Sequence, residues 1–263
     1  MFFGFSYNLF AQIDSLQTVK LEAVEVSATK ISNSLLESTW SVSKLDFKSK
    51  QDQMQQLSFS EYVQGVPGLF ALNTNNFSQD LRISIRGFGA RSAFGIRGIK
   101  ILVDGIPETT PDGQGQIDNL SLGSISSVEV IRGPSSLLYG NASGGVISIQ
   151  TTSDIEKNYI KPAMTLGRFG MENLQIEAGV KKKNTTLILL ANKIKTNGYR
   201  AQSGFEISGI NARIKHEFSE KTEINLLLNY TDSPVAEDAG GLNFESVIAN
   251  SLQARDRTVR YKT

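Results

Sequence analysis

Two arginines stand in matching surroundings, Arg86 in ISIRGFG and Arg132 in VEVIRGP. Each follows an apolar, β-branched run and precedes a glycine. A guanidinium presented at a strand end can reach a carboxylate on another part of the structure through charge-assisted hydrogen bonds. Once dry, such a contact is costly to leave half-made. The plainer reading is an exposed strand-end charge, and the local sequence leaves both open.

Other chemistry is thin. The glycine-rich GNASGG at 140–145 is not followed by GK[ST], and a strand pattern follows it where a phosphate site needs a helix N-terminus. GFGARSAFG at 87–95 has its glycines wrongly spaced for a dinucleotide site. The lone histidine, His216, sits beside Arg213 and Lys215 on an alternating stretch, so no Ser/His/Asp set can be assembled. Glu237 and Asp238 are adjacent in a polar loop and read as solvated, not as an acid–base pair. With no cysteine, disulfides and thiolate metal sites are excluded. The reading is of a protein that is not an enzyme and holds no cofactor. Lys and Arg number 27 against 26 Asp and Glu, which argues against a basic nucleic-acid footprint. No apolar run reaches the ~18 residues of a membrane helix. A membrane barrel gives a far weaker signal per segment and stays open.

The elements that would position the arginines fall into two regimes. From about residue 41 to 149 the pattern is mixed α and β. SVSKLDF, GLFALN and LRISIRGFG read as strands. Lys50 to Gln64 holds helix formers and stops before Pro67, which disfavours continuation. GIKILVDGIPE reads as a hairpin turning at Asp104-Gly105. In VEVIRGPSSLLYGNASGGVISI, a strand enters Gly133, Pro134 suits a first helical position, Leu137 to Tyr139 make one apolar turn, and Gly140 can end it in a left-handed conformation. Gly144 and Gly145 free the chain to reverse into VISI.

After about residue 155, alternation with period two takes over. Leu174, Ile176, Ala178 and Val180 oppose Gln175, Glu177 and Lys181; Ile210, Ala212 and Ile214 oppose Asn211, Arg213 and Lys215. Ile224, Leu226, Leu228 and Tyr230 oppose Glu223, Asn225 and Asn229. A membrane barrel and a soluble sandwich both read this way. KKKN and SEKT are short connections, TNGYRAQSG and the stretch after Asp232 are long ones, and GRFG breaks the rule by being short. About five strands are visible, too few for even the eight-stranded minimum of a closed barrel. The chain therefore reads as the front of a longer protein. Its start, MFFGFSYNLFAQ, reads as the tail of a secretory signal ending at Ala11. LEAVEVSA, Leu21 to Ala28, has strand chemistry but no adjacent turn or partner strand, so it is a candidate for addition to another protein's sheet edge; the alternative is the first strand of the following domain.

VPGLFALN, LRISIRGFG, IKILVDGIP and above all VEVIRGPSSLLYGNASGGVISI resemble the plug domain of TonB-dependent outer-membrane receptors. LEAVEVSA resembles the TonB box that precedes the plug, with Ala23 and Glu25 as departures from the commoner form. The resemblance implies an α+β plug followed by the first antiparallel strands of a transmembrane barrel. It divides the chain into a signal remnant at 1–11, a TonB-box segment at 12–30, a plug at 31–152 and wall strands at 153–263. It implies energy-coupled uptake of a ferric siderophore or similar chelate, with vitamin B12, haem or a copper complex as alternatives, in the outer membrane and among its lipids. The metal would arrive inside the chelate.

The same resemblance assigns residues. Leu21, Glu22, Ala23, Val24, Glu25, Val26, Ser27 and Ala28 would bind TonB, itself driven by an inner-membrane complex. Arg86 and Arg132 match plug arginines that face barrel glutamates, which here would lie beyond Thr263. Ligand contacts are expected in 73–80, 90–94 and 109–116, at Asn75, Asn76, Arg91, Phe94, Asp112 and Gln114. The competing reading is a secreted β-rich binding or adhesion module with a plug-like domain.

Overall fold

The computed structural model describes residues 25–26, 33–34, 39–48, 51–72, 76–92, 95–255 and 260–261. The signal-remnant reading at 1–11 and most of the Leu21–Ala28 segment lie outside the described residues.

In chain order the first strands are β1 (Glu25–Val26), β2 (Asn33–Ser34), β3 (Ser41–Asp46), β4 (Leu69–Leu72), β5 (Arg82–Ile85), β6 (Ile96–Arg97), β7 (Ile99–Val103), β8 (Ile106–Pro107), β9 (Gln114–Gly115), β10 (Ile125–Arg132) and β11 (Gly145–Thr151). A five-stranded sheet in the order β3-β10-β11-β7-β8 carries the core. Its middle strands are apolar on both faces, as strands covered on both sides must be. On one face Ile99, Ile101, Val128, Val130, Ile147 and Ile149 pack against Tyr62, Phe59 and Phe47. On the other, Leu102, Ile131 and Val146 meet Ala142, with Trp40 and Tyr139 at the edge. Each buried branched side chain contributes about 1.5–3 kcal/mol relative to exposure. Glu129, 1% exposed, is tolerated in this sheet because Lys44, its cross-strand partner, reaches it at 3.3 Å.

The VEVIRGP…GGVISI stretch folds as a β10–β11 antiparallel pair. Between its strands a one-turn helix, α2 (Ser136–Tyr139), ends at Gly140 with φ +71°. Gly145 opens β11 at φ +144°, and a Cβ there would run into the Ile131 carbonyl oxygen of the paired strand. Pro134 lies before the helix and not at its first position, because Ser135 takes the N-cap place. Leu137 is 96% exposed, so this turn is apolar in composition without being buried.

Two further expectations are corrected. The helix read over 50–64 is a 3-10 turn at Gln51–Gln53 and a short α1 (Ser60–Val63). The cause is Glu61, whose carboxylate accepts the N–H groups of Gln55, Gln56, Leu57 and Ser58 and stabilises a loop where a helix would need those donors turned away. The Leu21–Ala28 stretch was expected to lack a partner strand, yet Glu25–Val26 pairs antiparallel with Asn33–Ser34. That pair forms its own sheet, apart from the plug's.

The wall follows: β12 (Tyr159–Leu166), β13 (Glu172–Lys182), β14 (Thr185–Thr196), β15 (Phe205–Ser219), β16 (Thr222–Glu237) and β17 (Arg260–Tyr261). These six strands form one antiparallel meander in sequence order, with β12 and β17 at its open edges. The tight turns lie at 183–184 and 220–221; the loops at 197–204 and 238–255 gather at the opposite end, with the short 167–171 turn. Short α3 (Phe244–Ala249) sits in the last loop. The expected alternation holds. Ile160, Met164, Leu166, Leu174, Ile176, Val180, Leu187, Leu189, Ile210, Ile224, Leu226, Leu228 and Tyr230 are all exposed on one face. A contiguous apolar face of this extent exceeds what a soluble monomer leaves bare. Toward the long-loop end it gives way to the ion pairs Lys193–Glu206 and Lys195–Glu172, at 2.6 and 2.9 Å.

Candidate functional site: the seam between plug and wall

The other face of the wall holds the plug. Inward residues of successive strands each touch it. Lys161 on β12 pairs with Asp52 at 2.6 Å, Asn173 on β13 donates to the Gln55 carbonyl, and Gln175 donates to Gln56 Oε1. On β14 Asn192 meets Ser121 Oγ at 3.2 Å, and on β16 Thr231 donates to the Asn119 carbonyl. Such contacts are polar and individually modest.

One contact is dry. Arg213 on β15 lies 3.3 Å from Asp104 in the β7–β8 turn, with side chains 9% and 5% exposed. Asp104 accepts from the Thr151 N–H at 2.9 Å and the Thr151 hydroxyl at 2.7 Å. Arg213 donates to the same hydroxyl at 2.7 Å and, through Nε, to Asn225 Oδ1 at 3.1 Å. The turn suits this: Asp104 and Gly105 both have positive φ, as a tight two-residue hairpin requires. Sequence reasoning had Asp104 only as a turn residue and Arg213 only as a charge on the polar face. Their meeting depends on tertiary placement, and no local signal announces it.

At the long-loop end the plug is clasped again. Asp238 accepts from Asn76 Nδ2 and Gln79 Nε2, both at 3.0 Å, and from the Gly240 N–H at 2.8 Å. The expectation that Asp238 is merely solvated is thereby corrected. Burial works to raise its carboxyl, but the Gly240 N–H, the Gln79 and Asn76 amides and the Arg200 charge hold it below the usual carboxylate range. Arg200 braces the loop from behind, donating to the carbonyls of Gly240, Ala239 and Gln253. Phe77 stacks on Phe205 at 4.0 Å between centroids.

The structure does not gather the expected ligand residues into one place. Asn76 lies on the seam. Asp112 and Gln114 sit together elsewhere on the plug, both facing Arg97, at 3.6 and 3.1 Å. Arg91 is exposed. Asn75 and Phe94 lie outside the described residues. Arg86 and Arg132 converge beside the Pro67–Gly68 turn: Arg132 donates to the Pro67 carbonyl at 3.2 Å, and the Arg86 side chain lies along Gly68. Neither arginine makes an ion pair with a carboxylate among the described residues, and Arg132 Nε is buried without a hydrogen-bond partner. Sequence reasoning missed Arg213, Thr151, Phe205 and Arg200 as seam residues.

A mixed α/β body seated on the polar face of an antiparallel wall whose opposite face is apolar is the arrangement of a plug against part of a membrane-barrel wall. Residues 34–146 match the family model described as the TonB-dependent receptor plug domain. Through this segment the chain is similar to TonB-dependent receptors. It is 24% identical over 232 residues to the vitamin B12 transporter BtuB of Vibrio vulnificus (strain CMCP6), covering 85% of this chain and 37% of that one. It is 36% identical over 96 residues to a hemin receptor of Yersinia enterocolitica, covering 36% of this chain and 13% of that one. In fold it resembles the ferripyoverdine receptor of the outer membrane of Pseudomonas aeruginosa, with a TM-score of 0.62 and 14% identity, over 80% of this chain and 27% of that one. The chain thus spans little more than a third of the length of these relatives at most.

Proposed function

We propose that the protein works in energy-coupled uptake of a ferric siderophore or similar metal chelate across the outer membrane. The observation that carries this is the position of the plug, packed on the inward face of the wall and tied to it at both ends of the seam. A plug so placed blocks the lumen, so passage needs work. The outer membrane holds no ion gradient of its own, and the work must come from outside the barrel. TonB would supply it by pairing with the Leu21–Ala28 segment as an added strand, for which the extended conformation of Glu25–Val26 is suited. Ala23 and Glu25 do not hinder main-chain pairing, because that pairing reads backbone and not side chains.

The ligand class rests on the fold resemblance to a ferripyoverdine receptor. A second reading, a corrinoid, is favoured by the match over 232 residues to a vitamin B12 transporter.

The test is uptake by cells carrying the complete gene, using radio-iron loaded on a panel of siderophores and, separately, labelled cyanocobalamin. Iron entry that requires both TonB and Leu21–Ala28 supports the first reading. Cyanocobalamin entry without iron entry supports the second. Entry that persists without TonB and without the segment overturns both.

A further inference from the structure

Glu61 stands in α1 with its carboxylate turned back on the chain that precedes it. Oε2 accepts the N–H groups of Gln55 and Gln56, both at 3.0 Å, and Oε1 those of Leu57 and Ser58, at 2.7 and 3.1 Å. Main-chain donors gathered on one charged group make a strong and directional cradle. Within it Gln56 is held at φ +59°, a left-handed conformation that residues with a side chain seldom take. Such an outlier persists only where its surroundings fix it.

Two of the residues that donate to Glu61 also accept from the wall. The Gln55 carbonyl takes the Asn173 amide at 3.0 Å, and Gln56 Oε1 takes the Gln175 amide at 2.6 Å. Just before them Asp52 pairs with Lys161 at 2.6 Å. Strand register shows how these contacts lie. Lys161 on β12 stands level with Glu177 on β13, Ala163 with Gln175, and Thr165 with Asn173. The contacts therefore fall on three successive levels of one face of the β12–β13 pair, over about 13 Å at ~3.3 Å per residue. Residues 51–58 form a strap laid along the wall.

From the strap the hydrogen bonds continue into the plug. Gln56 Nε2 donates to the Gln51 carbonyl at 3.1 Å. Gln51 Nε2 donates to the carbonyl of Gly123, at 2.9 Å, and to that of Ile125, the first residue of β10. The amides thus run from wall to strap to plug sheet with every donor pointing the same way. Gln51, Gln56 and Asn173 are buried, where an amide without a partner is costly. Gly123 lies where wall, strap and plug body meet, and a Cβ there would run into the side-chain oxygens of Gln175 and Gln56.

We propose that Glu61 is a positioning residue that seats the plug on β12 and β13. Acting through Gln55 and Gln56, its carboxylate shapes the strap so that these two meet Asn173 and Gln175. Passage of a ligand requires plug and wall to part, so the seat sets the cost of parting on this side. That consequence rests on the uptake reading above; the seat does not.

The test is a distance, read by pulsed electron paramagnetic resonance between two nitroxides on the protein made from its complete gene. The 263 residues contain no cysteine, and any beyond them is replaced. Gln53→Cys labels the strap and Lys182→Cys labels the wall at the end of β13. Asn119→Cys labels the plug where its carbonyl accepts from Thr231 of β16. All three side chains are exposed. With Glu61 in place, the 53–182 and 119–182 pairs should each give one narrow distance. Glu61→Ala should lose most of the narrow 53–182 population and leave 119–182 as it was. Glu61→Gln, which keeps one acceptor oxygen, should lose less. Asn173→Leu combined with Gln175→Leu leaves Glu61 untouched and should also broaden 53–182, because the seat then lacks its wall side. A narrow 53–182 distance in Glu61→Ala or in the wall double variant would overturn the proposal. So would equal broadening of both distances in Glu61→Ala, since Glu61 would then serve only the fold of the plug. No reading needs a ligand: a seat that behaves as expected in a protein taking up no labelled ligand leaves this inference standing and sinks the uptake reading instead.

Discussion

Arg213 of the wall and Asp104 of the plug meet at 3.3 Å in a place where both side chains are nearly closed to solvent. The pair joins the fourth wall strand to the turn that follows the plug's parallel strand β7, and Thr151, at the end of β11, is hydrogen-bonded to both partners. Because β7 and β11 are themselves paired, this contact fixes the centre of the plug sheet to the wall. β3, by contrast, pairs with β10 alone and lies at a sheet edge.

Arg213→Ala should therefore loosen the plug from the wall by roughly 3–5 kcal/mol, because it strands a buried carboxylate. Asp104→Asn should cost less, since the amide keeps one acceptor for Thr151. The two changes together should cost less than their sum, with a coupling of about 1–3 kcal/mol in a double-mutant cycle of denaturant midpoints. Strict additivity would mean that the two groups do not interact.

Gly145→Ala should destabilise the plug by more than about 1 kcal/mol, since φ +144° and the Ile131 carbonyl leave no place for a methyl group. Gly241→Ala, with open space around its Cβ and no positive φ, is the matched control. Thermal unfolding of the two variants side by side checks this; equal midpoints would count against the β10–β11 geometry.

Much of this was legible in the residues. Period-two alternation placed Ile224, Leu226, Leu228 and Tyr230 on one face correctly, because a strand's side-chain direction is set by position alone. Asp104-Gly105 was readable as a turn for the same local reason. The α1 region was not, because Glu61 captures four backbone N–H groups and overrides helix propensity. Nor was Arg213 readable as an anchor: its partner Thr151 stands 62 residues away, and a charge on an alternating strand looks alike whether it faces water or a plug. Arg86 and Arg132 have matching local sequence, and what the structure adds is their shared position at Pro67–Gly68.

Asp118 gives the plug a pH signature. Although Asp118 reaches the surface, desolvation by the protein atoms packed around it foremost, and then the charge of Asp80, lift its carboxyl to about 6. The folded state therefore favours the protonated form. That stabilisation is complete below the unfolded value near 3.8 and is lost as pH rises through about 6. Asp118→Asn should raise the melting temperature at pH 7 relative to the parent and leave it little changed at pH 4. A difference that is the same at both pH values would remove Asp118 as the cause.

Val26→Pro should abolish energised uptake while leaving ligand binding at the cell surface within about twofold, because proline removes a main-chain donor needed for strand addition. Filter binding on whole cells and radio-iron uptake, run in parallel, separate the two. Loss of both together would place Val26 in the ligand site or in the fold.

The most direct measurement is a cysteine scan of residues 223–230 in β16, reacted in outer-membrane vesicles with a lipid-soluble maleimide. Positions 224, 226, 228 and 230 should label and positions 223, 225, 227 and 229 should not, with water-soluble maleimide unable to reproduce the pattern. Uniform labelling by the water-soluble reagent, or no alternation at all, would contradict a wall that faces lipid on one side and a plug on the other.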